Sequence, residues 1–339
     1  MFNTIFKALG KIMVSGIIAF AILTLFSFFY YNDPVNNINK DGATDVKRAV
    51  NVFYSQGREG FGWGKTNNDG FPNLFDYDDD MKIDILIMGS SHMEAFQVGM
   101  GQSAASRLNT LLENETVYNI GVSGHHFLIC ARNLRVALNK YQPTKYVVIE
   151  TYSVSFADEK LASVLNEEPV DLQGLNHEGG IRGLLRRNPY LRLINVQMQG
   201  YVNIPAEDME DMENPEVLAE PDTVSHEKLL NDLLRKMSTS AEESGTKMII
   251  AYHPGASIAP DGTMNLDADP DATAQFKRLC DDNGILFLDM SERFKEEYER
   301  SYILPYGFAN TSVSSGHMNQ YGHAMMAEEL YKLILEDEQ

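Results

Sequence analysis

The chain has 339 residues, 44% of them hydrophobic and 22% charged, which is the composition of a globular protein with one sizeable α/β domain. Its 48 acidic and 28 basic residues give a formal charge of −20. Nucleic acids and anionic lipid headgroups are bound by positive surfaces, so this charge argues against both as partners. Cys130 and Cys280 lie in amphipathic patterns. We therefore expect buried thiols, with neither a disulfide framework nor a zinc site.

The amino-terminal segment predicts a membrane anchor. Residues 12–31, IMVSGIIAFAILTLFSFFYY, carry no charge, and about 20 apolar residues cross the ~30 Å hydrocarbon core as a helix. Two lysines precede the span within residues 1–11, and Tyr30 and Tyr31 end it where an aromatic belt would lie. This order predicts a single-pass protein of the cell membrane, with residues 1–11 cytoplasmic and the carboxyl-terminal domain extracellular. A cleavable signal peptide is the alternative, but its apolar core would be shorter and would end in small residues.

Residues 32–80 are rich in asparagine, aspartate and glycine, and they show no regular periodicity. Disordered linkers lack apolar anchors, whereas this segment contains several aromatic residues: Phe53, Tyr54, Phe61, Trp63, Phe71 and Phe75. We therefore expect an extended arm that packs on the domain formed by residues 81–339.

Buried strands alternate with amphipathic helices through residues 81–339. The predicted strands are 83–88, 116–120, 145–150, 247–252 and 285–289. The predicted helices are 103–113, 128–140, 225–243, 271–282 and a last one capped by Asn319. This alternation is typical of an α/β fold in which a central parallel sheet is covered on both faces, a flavodoxin-like three-layer sandwich. An acidic insertion at about 157–223 interrupts it, as a lid, a partner surface or a solvated excursion.

The first strand ends abruptly in the sequence GSSH, residues 89–92. In α/β folds, small residues that follow a buried strand expose reactive groups at the carboxyl edge of the sheet. Ser91 is the candidate nucleophile on this ground. The alternative is an ordinary turn in which Ser90 or Ser91 caps the next helix.

Two later loops supply candidate partners for Ser91. Ester chemistry needs a hydroxyl nucleophile, a base that titrates near neutrality and donors for the developing oxyanion. His317 precedes the last helix at the same edge of the sheet. Gly124 follows the second strand and is a candidate oxyanion donor, since no side chain stands in the way of its N–H; the alternative is a glycine that only the turn requires. The α/β-hydrolase elbow, G-x-S-x-G, is disfavoured because Met93 stands where its second glycine belongs.

In three blocks the chain resembles the SGNH (GDSL-like) hydrolases. Gly89-Ser90-Ser91 resembles the first block, NIGVSGHH resembles the second through Gly124, and SSGHMNQYGH resembles the last, with its histidine at His317. Covering residues 83–335, the resemblance implies the SGNH hydrolase fold. It also implies that Ser91 is the nucleophile, that His317 is the base and that the Ser91 and Gly124 amides form the oxyanion hole.

The chain departs from this family at two positions. Ser314 stands where the triad aspartate is expected, and no carboxylate occurs between Arg300 and Glu328. The acid must therefore come from elsewhere, with Glu150 and Asp289 the nearest candidates, or a backbone carbonyl orients a serine–histidine dyad. The asparagine of the oxyanion hole is also missing, so either Ser153 or Ser155 substitutes for it, or no residue does.

Three further histidines, His92, His125 and His253, are candidates for lining the pocket. The histidines show no metal-ligand spacing, so we expect neither a metal nor another cofactor.

In its predicted anchor, its acidic domain and its GSSH block, the chain resembles bacterial members of this superfamily that act on cell-envelope polymers. That resemblance implies a serine O-acyltransferase or acylesterase, acting on a surface polysaccharide or teichoic acid beside a membrane-bound O-acyltransferase partner. The alternative is a non-catalytic accessory protein that binds a glycan or such an acyltransferase.

Overall fold

The computed structural model describes residues 2–37, 47–167, 188–201 and 223–339. Parts of the predicted insertion, residues 168–187 and 202–222, lie outside them. The helices are α1 (Phe2–Tyr30), α2 (Ser91–Glu94), α3 (Ala104–Leu111), α4 (Phe127–Tyr141), α5 (Asp158–Asn166), α6 (Pro189–Tyr201), α7 (Thr223–Glu243), α8 (Pro270–Asp282), α9 (Ser291–Ser301) and α10 (Gln320–Asp337). The strands are β1 (Tyr31–Asn32), β2 (Val35–Asn37), β3 (Lys47–Arg48), β4 (Phe53–Gln56), β5 (Gly62–Lys65), β6 (Ile85–Met88), β7 (Val117–Asn119), β8 (Tyr146–Thr151), β9 (Lys247–Tyr252), β10 (Gly255–Ile258), β11 (Met264–Asp267) and β12 (Leu286–Asp289).

The central sheet has five parallel strands in the order β12-β9-β8-β6-β7. Counted along the chain from the β7 edge, this is the 2-1-3-4-5 order of doubly wound, flavodoxin-like sheets. The predicted α/β fold is confirmed. Four of its strands, β6 to β9, were detectable because apolar runs mark strands that are buried on both faces, as in β6, where no residue is more than 3% exposed. The edge strand β12 also carries an apolar run, although it is only partly buried.

Helices cover both faces of this sheet. One apolar layer contains side chains of α4, α7 and α8, including Leu134, Leu234 and Phe276. The opposite layer contains side chains of α3, α9 and α10, including Leu108 and Leu330. The carboxyl ends of the strands therefore form one edge, from which the loops that carry Ser91 and Gly124 emerge.

The arm forms a small antiparallel sheet of its own, in the order β1-β4-β5. Its strands have two to four residues, too few for an alternating pattern to be visible in the sequence. One face packs on the α/β domain, where the Tyr54 and Phe96 rings lie 4.2 Å apart. On the other face, Phe53 stacks on Phe28 of α1 at 4.9 Å. The arm therefore joins the end of α1 to the domain.

Helix α1 is apolar over Thr4–Tyr30, with a mean hydropathy of 2.4, and is long enough to cross a membrane. This helix begins earlier than the predicted span and includes both preceding lysines. Helix α6 lies beside its second half, where Asn188 donates to the Thr24 hydroxyl at 3.1 Å.

The sequence patterns did not predict α9 or the β10–β11 hairpin.

Candidate active site

Ser91 is the first residue of α2 and lies just beyond the carboxyl end of β6. Ser90 is the N-cap, with its hydroxyl accepting from the His92 amide at 3.3 Å. The capping role and the candidate nucleophile therefore fall on different serines. Because Ser90 takes the cap, the Ser91 hydroxyl is available for another partner.

That partner is His317, whose Nε2 lies 2.9 Å from the Ser91 Oγ. His317 sits in the loop before α10, and the adjacent Met318 pairs with Tyr306 in an isolated β-bridge. Asn319 caps α10 by accepting from the amides of Tyr321 and Gly322. The structure thus joins Ser91 and His317, the two residues that the sequence selected for the site.

Glu59 of the arm supplies the carboxylate that orients His317. Its Oε2 lies 2.6 Å from Nδ1 of His317, and its Oε1 accepts from the His317 amide at 2.8 Å. The candidate acids named from the sequence were wrong. Glu150 bonds instead to His253, and Asp289 accepts from the amide and hydroxyl of Ser291.

The Glu59 turn is fixed by contacts from the loop that carries the base. Asn310 accepts from the Gly60 amide at 3.0 Å and donates to the carbonyls of Gly57 and Gly60 at 2.9 Å. Gly316, with a φ of +95°, leaves room for the carboxylate, because a Cβ there would lie 2.5 Å from the Glu59 Oε1. The acid is therefore held by both its own turn and the His317 loop.

The environment of Glu59 favours its ionised form. Burial alone would raise the pKa of Glu59, but hydrogen bonds and charge from His317, with a smaller contribution from Arg58, hold the pKa below its usual value. An ionised Glu59 accepts the Nδ1 proton of a neutral His317, which leaves the Nε2 lone pair directed at Ser91. This is the tautomer that a general base requires.

The lowered pKa of Glu59 predicts a pH-dependent contribution to stability. A carboxyl whose folded-state pKa is depressed stabilises the fold above its unfolded pKa, here near 4.5, and loses that contribution as pH falls through the folded pKa. We expect the stability difference between the parent chain and E59Q to shrink as pH falls below about 4.5. Urea unfolding at pH 7 and at pH 3 measures it, and a constant difference would contradict the assignment.

The loop that carries Gly124 is tied to the segment around Ser91. The Val122 amide donates to the Gly89 carbonyl at 2.9 Å, and the Asn119 side chain donates to the Met93 carbonyl at 2.7 Å. The Ser123 hydroxyl also bonds to Glu94 of α2. Gly124 has a φ of +84° and no heavy atom within 4 Å of an added Cβ. Gly124 thus lies, with open space on its Cβ side, on a loop that is anchored on both sides of the nucleophile.

The Ser153 hydroxyl is directed into its own loop. It donates to the Ser155 carbonyl at 2.9 Å, while the Ser153 amide donates to the Thr151 hydroxyl. These are local turns of the kind that serine and threonine form at strand ends. In this arrangement, the hydroxyl predicted as an oxyanion donor is already committed to a backbone acceptor.

A second acid and histidine lie buried beneath the nucleophile. Glu150 is 1% exposed, and its carboxylate accepts from the Ser90 amide at 2.6 Å and contacts Nε2 of His253 at 2.7 Å. His253 is 0% exposed and bonds to the Tyr306 hydroxyl at 2.7 Å. The sequence predicted that His253 lines the pocket. The structure instead places it beneath the Ser90–Ser91 turn, which it supports through Glu150.

His92 and His125 occupy different environments. The His92 ring lies 5.4 Å from the His317 ring, and its Nδ1 accepts from the Met318 amide at 3.1 Å. Burial, reinforced by neighbouring histidine rings, holds the pKa of His92 well below its usual range. His125 is only 8% exposed. Of the two predicted pocket residues, the structure places His92 beside the base and buries His125 in the Gly124 loop.

Ser91, His317 and Glu59 thus form a continuous hydrogen-bonded chain at the carboxyl edge of a parallel sheet. Hydroxyl, imidazole and carboxylate occur in the order and at the distances of a serine hydrolase triad. The three residues define the site as one that is able to perform acyl transfer through a serine ester.

No protein-family model matches the sequence, and neither does any curated protein. The chain is similar to several solved structures. A proposed SGNH hydrolase from Slackia heliotrinireducens is 14% identical, with 75% of this chain matching 100% of that one at a TM-score of 0.38. An acetyl xylan esterase is 13% identical over 74% and 99% of the two chains, at 0.39. A two-domain esterase active on acetylated mannans is 11% identical over 76% and 49%, at 0.40.

Proposed function

We propose that the protein is a membrane-anchored serine esterase or O-acyltransferase, which moves an acyl group, most simply acetyl, through an ester on Ser91. The observation that carries this proposal is the contact series from the Ser91 Oγ through His317 to Glu59, at 2.9 and 2.6 Å. A serine hydroxyl is a weak nucleophile until an adjacent base takes its proton. In this proposal His317 is that base, and Glu59 is the carboxylate that orients it.

In the first half-reaction, Nε2 of His317 takes the Ser91 proton as Oγ attacks the acyl carbonyl carbon. The carbonyl oxygen becomes an oxyanion, and the N–H groups of Ser91 and Gly124 are the proposed donors to it. When the tetrahedral intermediate collapses, the ester C–O bond breaks and the leaving alcohol takes the proton from His317. Glu59 stays ionised throughout and stabilises the imidazolium.

In the second half-reaction, a hydroxyl attacks the serine ester. His317 takes the proton of the attacking hydroxyl and returns it to the Ser91 Oγ as the acyl bond to serine breaks. If the attacking hydroxyl belongs to water, the protein is an esterase; if it belongs to a sugar or polyol, the protein is an acyltransferase. The triad serves both reactions, so the acceptor decides between them.

The proposed substrate is a cell-surface polysaccharide or teichoic acid outside the cytoplasmic membrane. Support comes from α1, which is apolar enough to anchor the chain, and from the GSSH block with its resemblance to envelope-modifying hydrolases. A membrane-bound O-acyltransferase is the proposed partner that would deliver the acyl group.

The alternative, a non-catalytic accessory protein, was motivated by the missing aspartate at position 314. Glu59 now supplies a carboxylate on Nδ1 of His317, so this motivation is weakened. The family's oxyanion-hole asparagine is still without an equivalent, because the Ser153 hydroxyl donates to the Ser155 carbonyl.

Labelling with a fluorophosphonate probe tests the proposal, because this reagent phosphonylates only an activated serine. We expect one probe per chain on the full-length protein in detergent, attached at Ser91, and none on S91A. The matched control is S240A, which removes a partly exposed hydroxyl on α7 that donates to the Lys236 carbonyl of its own helix. Labelling of S91A equal to that of S240A would refute the serine mechanism.

A further inference from the structure

The three-stranded arm sheet has one face that the α/β domain does not cover. Side chains alternate between the faces of a strand, and residues directly paired across antiparallel strands share a face. Ser55 pairs with Trp63, and Phe53 pairs with Lys65. These four side chains therefore lie on the same face, while Tyr54 lies on the opposite face against the domain.

This face of the arm sheet, which the α/β domain does not cover, contacts the end of α1 over part of its area. The Ser55 hydroxyl donates to the Phe28 carbonyl at 2.9 Å, and the Phe53 ring stacks on the Phe28 ring. Beyond this contact, Trp63 remains 65% exposed, and Phe61, two residues before it, is 72% exposed. Two large aromatic side chains are thus exposed near the end of α1, a helix that is apolar enough to span a membrane.

The end of α1 indicates what covers them. Its last turns leave Leu25, Phe26 and Phe29 exposed by 61, 57 and 66%. Side chains this apolar at the end of an anchor helix are covered by lipid, so the bilayer reaches the level of Phe29. Aromatic side chains with a lysine beside them are typical of membrane interfaces, where the ring lies at headgroup level and the ammonium reaches water.

We propose that the face formed by Phe61, Trp63 and Lys65 rests on the outer surface of the bilayer, in contact with lipid headgroups. This contact rests on the proposed function in one respect, the retention of α1 as a membrane anchor. The negative charge of the protein as a whole makes a neutral lipid surface, rather than an anionic one, the expected occupant.

Docking of this face would hold the catalytic site at the membrane surface. Glu59 lies in the turn between β4 and β5, two residues beyond Gly57, whose amide donates to the Tyr30 carbonyl at 2.6 Å. The series of contacts from Tyr30 to the Ser91 hydroxyl limits their separation to roughly 25 Å at most. The substrate class that follows is an ester presented close to the headgroups, on a membrane-linked molecule.

Trp63 is the only tryptophan of the chain, so its fluorescence tests the contact directly. The full-length protein is reconstituted into phosphatidylcholine vesicles and recovered by flotation. We expect the Trp63 emission to shift to shorter wavelength, to be quenched by phosphatidylcholine brominated near the glycerol end of its chains, and to be protected from aqueous iodide.

The matched control moves the tryptophan away from the arm, to the edge of the central sheet that lies opposite the catalytic loops. In the double variant W63F/L111W, the reporter lies at the end of α3, where Leu111 is 39% exposed. Its emission should respond to iodide and not to brominated lipid. Iodide quenching of Trp63 equal to that of the control reporter would overturn the proposal. Equal quenching of both reporters by brominated lipid would also overturn it. So would a spectral change of Trp63 that soluble oligosaccharide causes and lipid does not.

Flotation and probe labelling separate the two proposals. A chain that floats and labels at Ser91, but keeps Trp63 in water, would retain the proposed function and lose the docking surface. A chain that does not float would refute both the anchor and the docking surface, whatever its reactivity with the probe.

Discussion

E59Q is expected to lower kcat for p-nitrophenyl acetate by about 10⁴-fold, the loss seen when the orienting acid of a serine triad becomes an amide. The amide has a single carbonyl oxygen, whereas the carboxylate of Glu59 serves both the Nδ1 and the backbone N–H of His317. An amide N–H facing Nδ1 favours the tautomer with its proton on Nε2, which cannot accept a proton from Ser91. Release of p-nitrophenol by the full-length chain in detergent measures the effect.

E243Q is the control for this prediction, because Glu243 is an exposed carboxylate at the end of α7. It should leave kcat unchanged. Thermal unfolding of both variants separates loss of catalysis from loss of fold. A decrease below about tenfold in a folded E59Q would show that His317 works without this carboxylate, as a dyad.

E150A is expected to reduce the free energy of unfolding by about 1–3 kcal/mol, the typical cost of leaving a buried hydrogen-bonding group without its partner. The change leaves His253 and the Ser90 amide without their carboxylate in a region that water does not reach. Urea unfolding in detergent measures the loss. Since the Ser90 amide lies next to the nucleophile, we also expect slower labelling at Ser91.

E150Q is the matched control, because glutamine keeps the volume of the side chain and one acceptor for the Ser90 amide. A smaller loss of stability is expected for E150Q than for E150A. Equal losses would show that the negative charge alone is important, and losses below about 1 kcal/mol for both would contradict a supporting role for this carboxylate.

The parallel sheet and the pairing of Ser91 with His317 could be predicted from the sequence. Buried parallel strands read as continuous apolar runs, and loops at their carboxyl ends converge on one edge. The glycine that ends β6 also has a structural reason. A Cβ at Gly89 would lie 2.5 Å from the Glu150 carboxylate, so the residue marks the point where the buried acid packs under the nucleophile.

Glu59 could not be predicted in the same way. It lies 258 residues from His317 in the chain, in an arm whose strands are too short to produce periodicity. The local signal was weak but present. Glu59 is the only carboxylate between Asp45 and Asp69, and it stands between Gly57 and Gly60. An isolated acid in a glycine-rich turn, in a protein whose expected triad aspartate is missing, is a feature worth searching for in similar chains.

The distribution of the triad over the chain has a consequence for biogenesis. The acid comes from the arm, the nucleophile from the first core strand and the base from the loop before α10. A chain interrupted anywhere between Ser91 and His317 therefore possesses an acid and a nucleophile but no base. During export in the proposed orientation, Ser91 emerges before His317, so the hydroxyl stays unactivated until the last helix has crossed and folded.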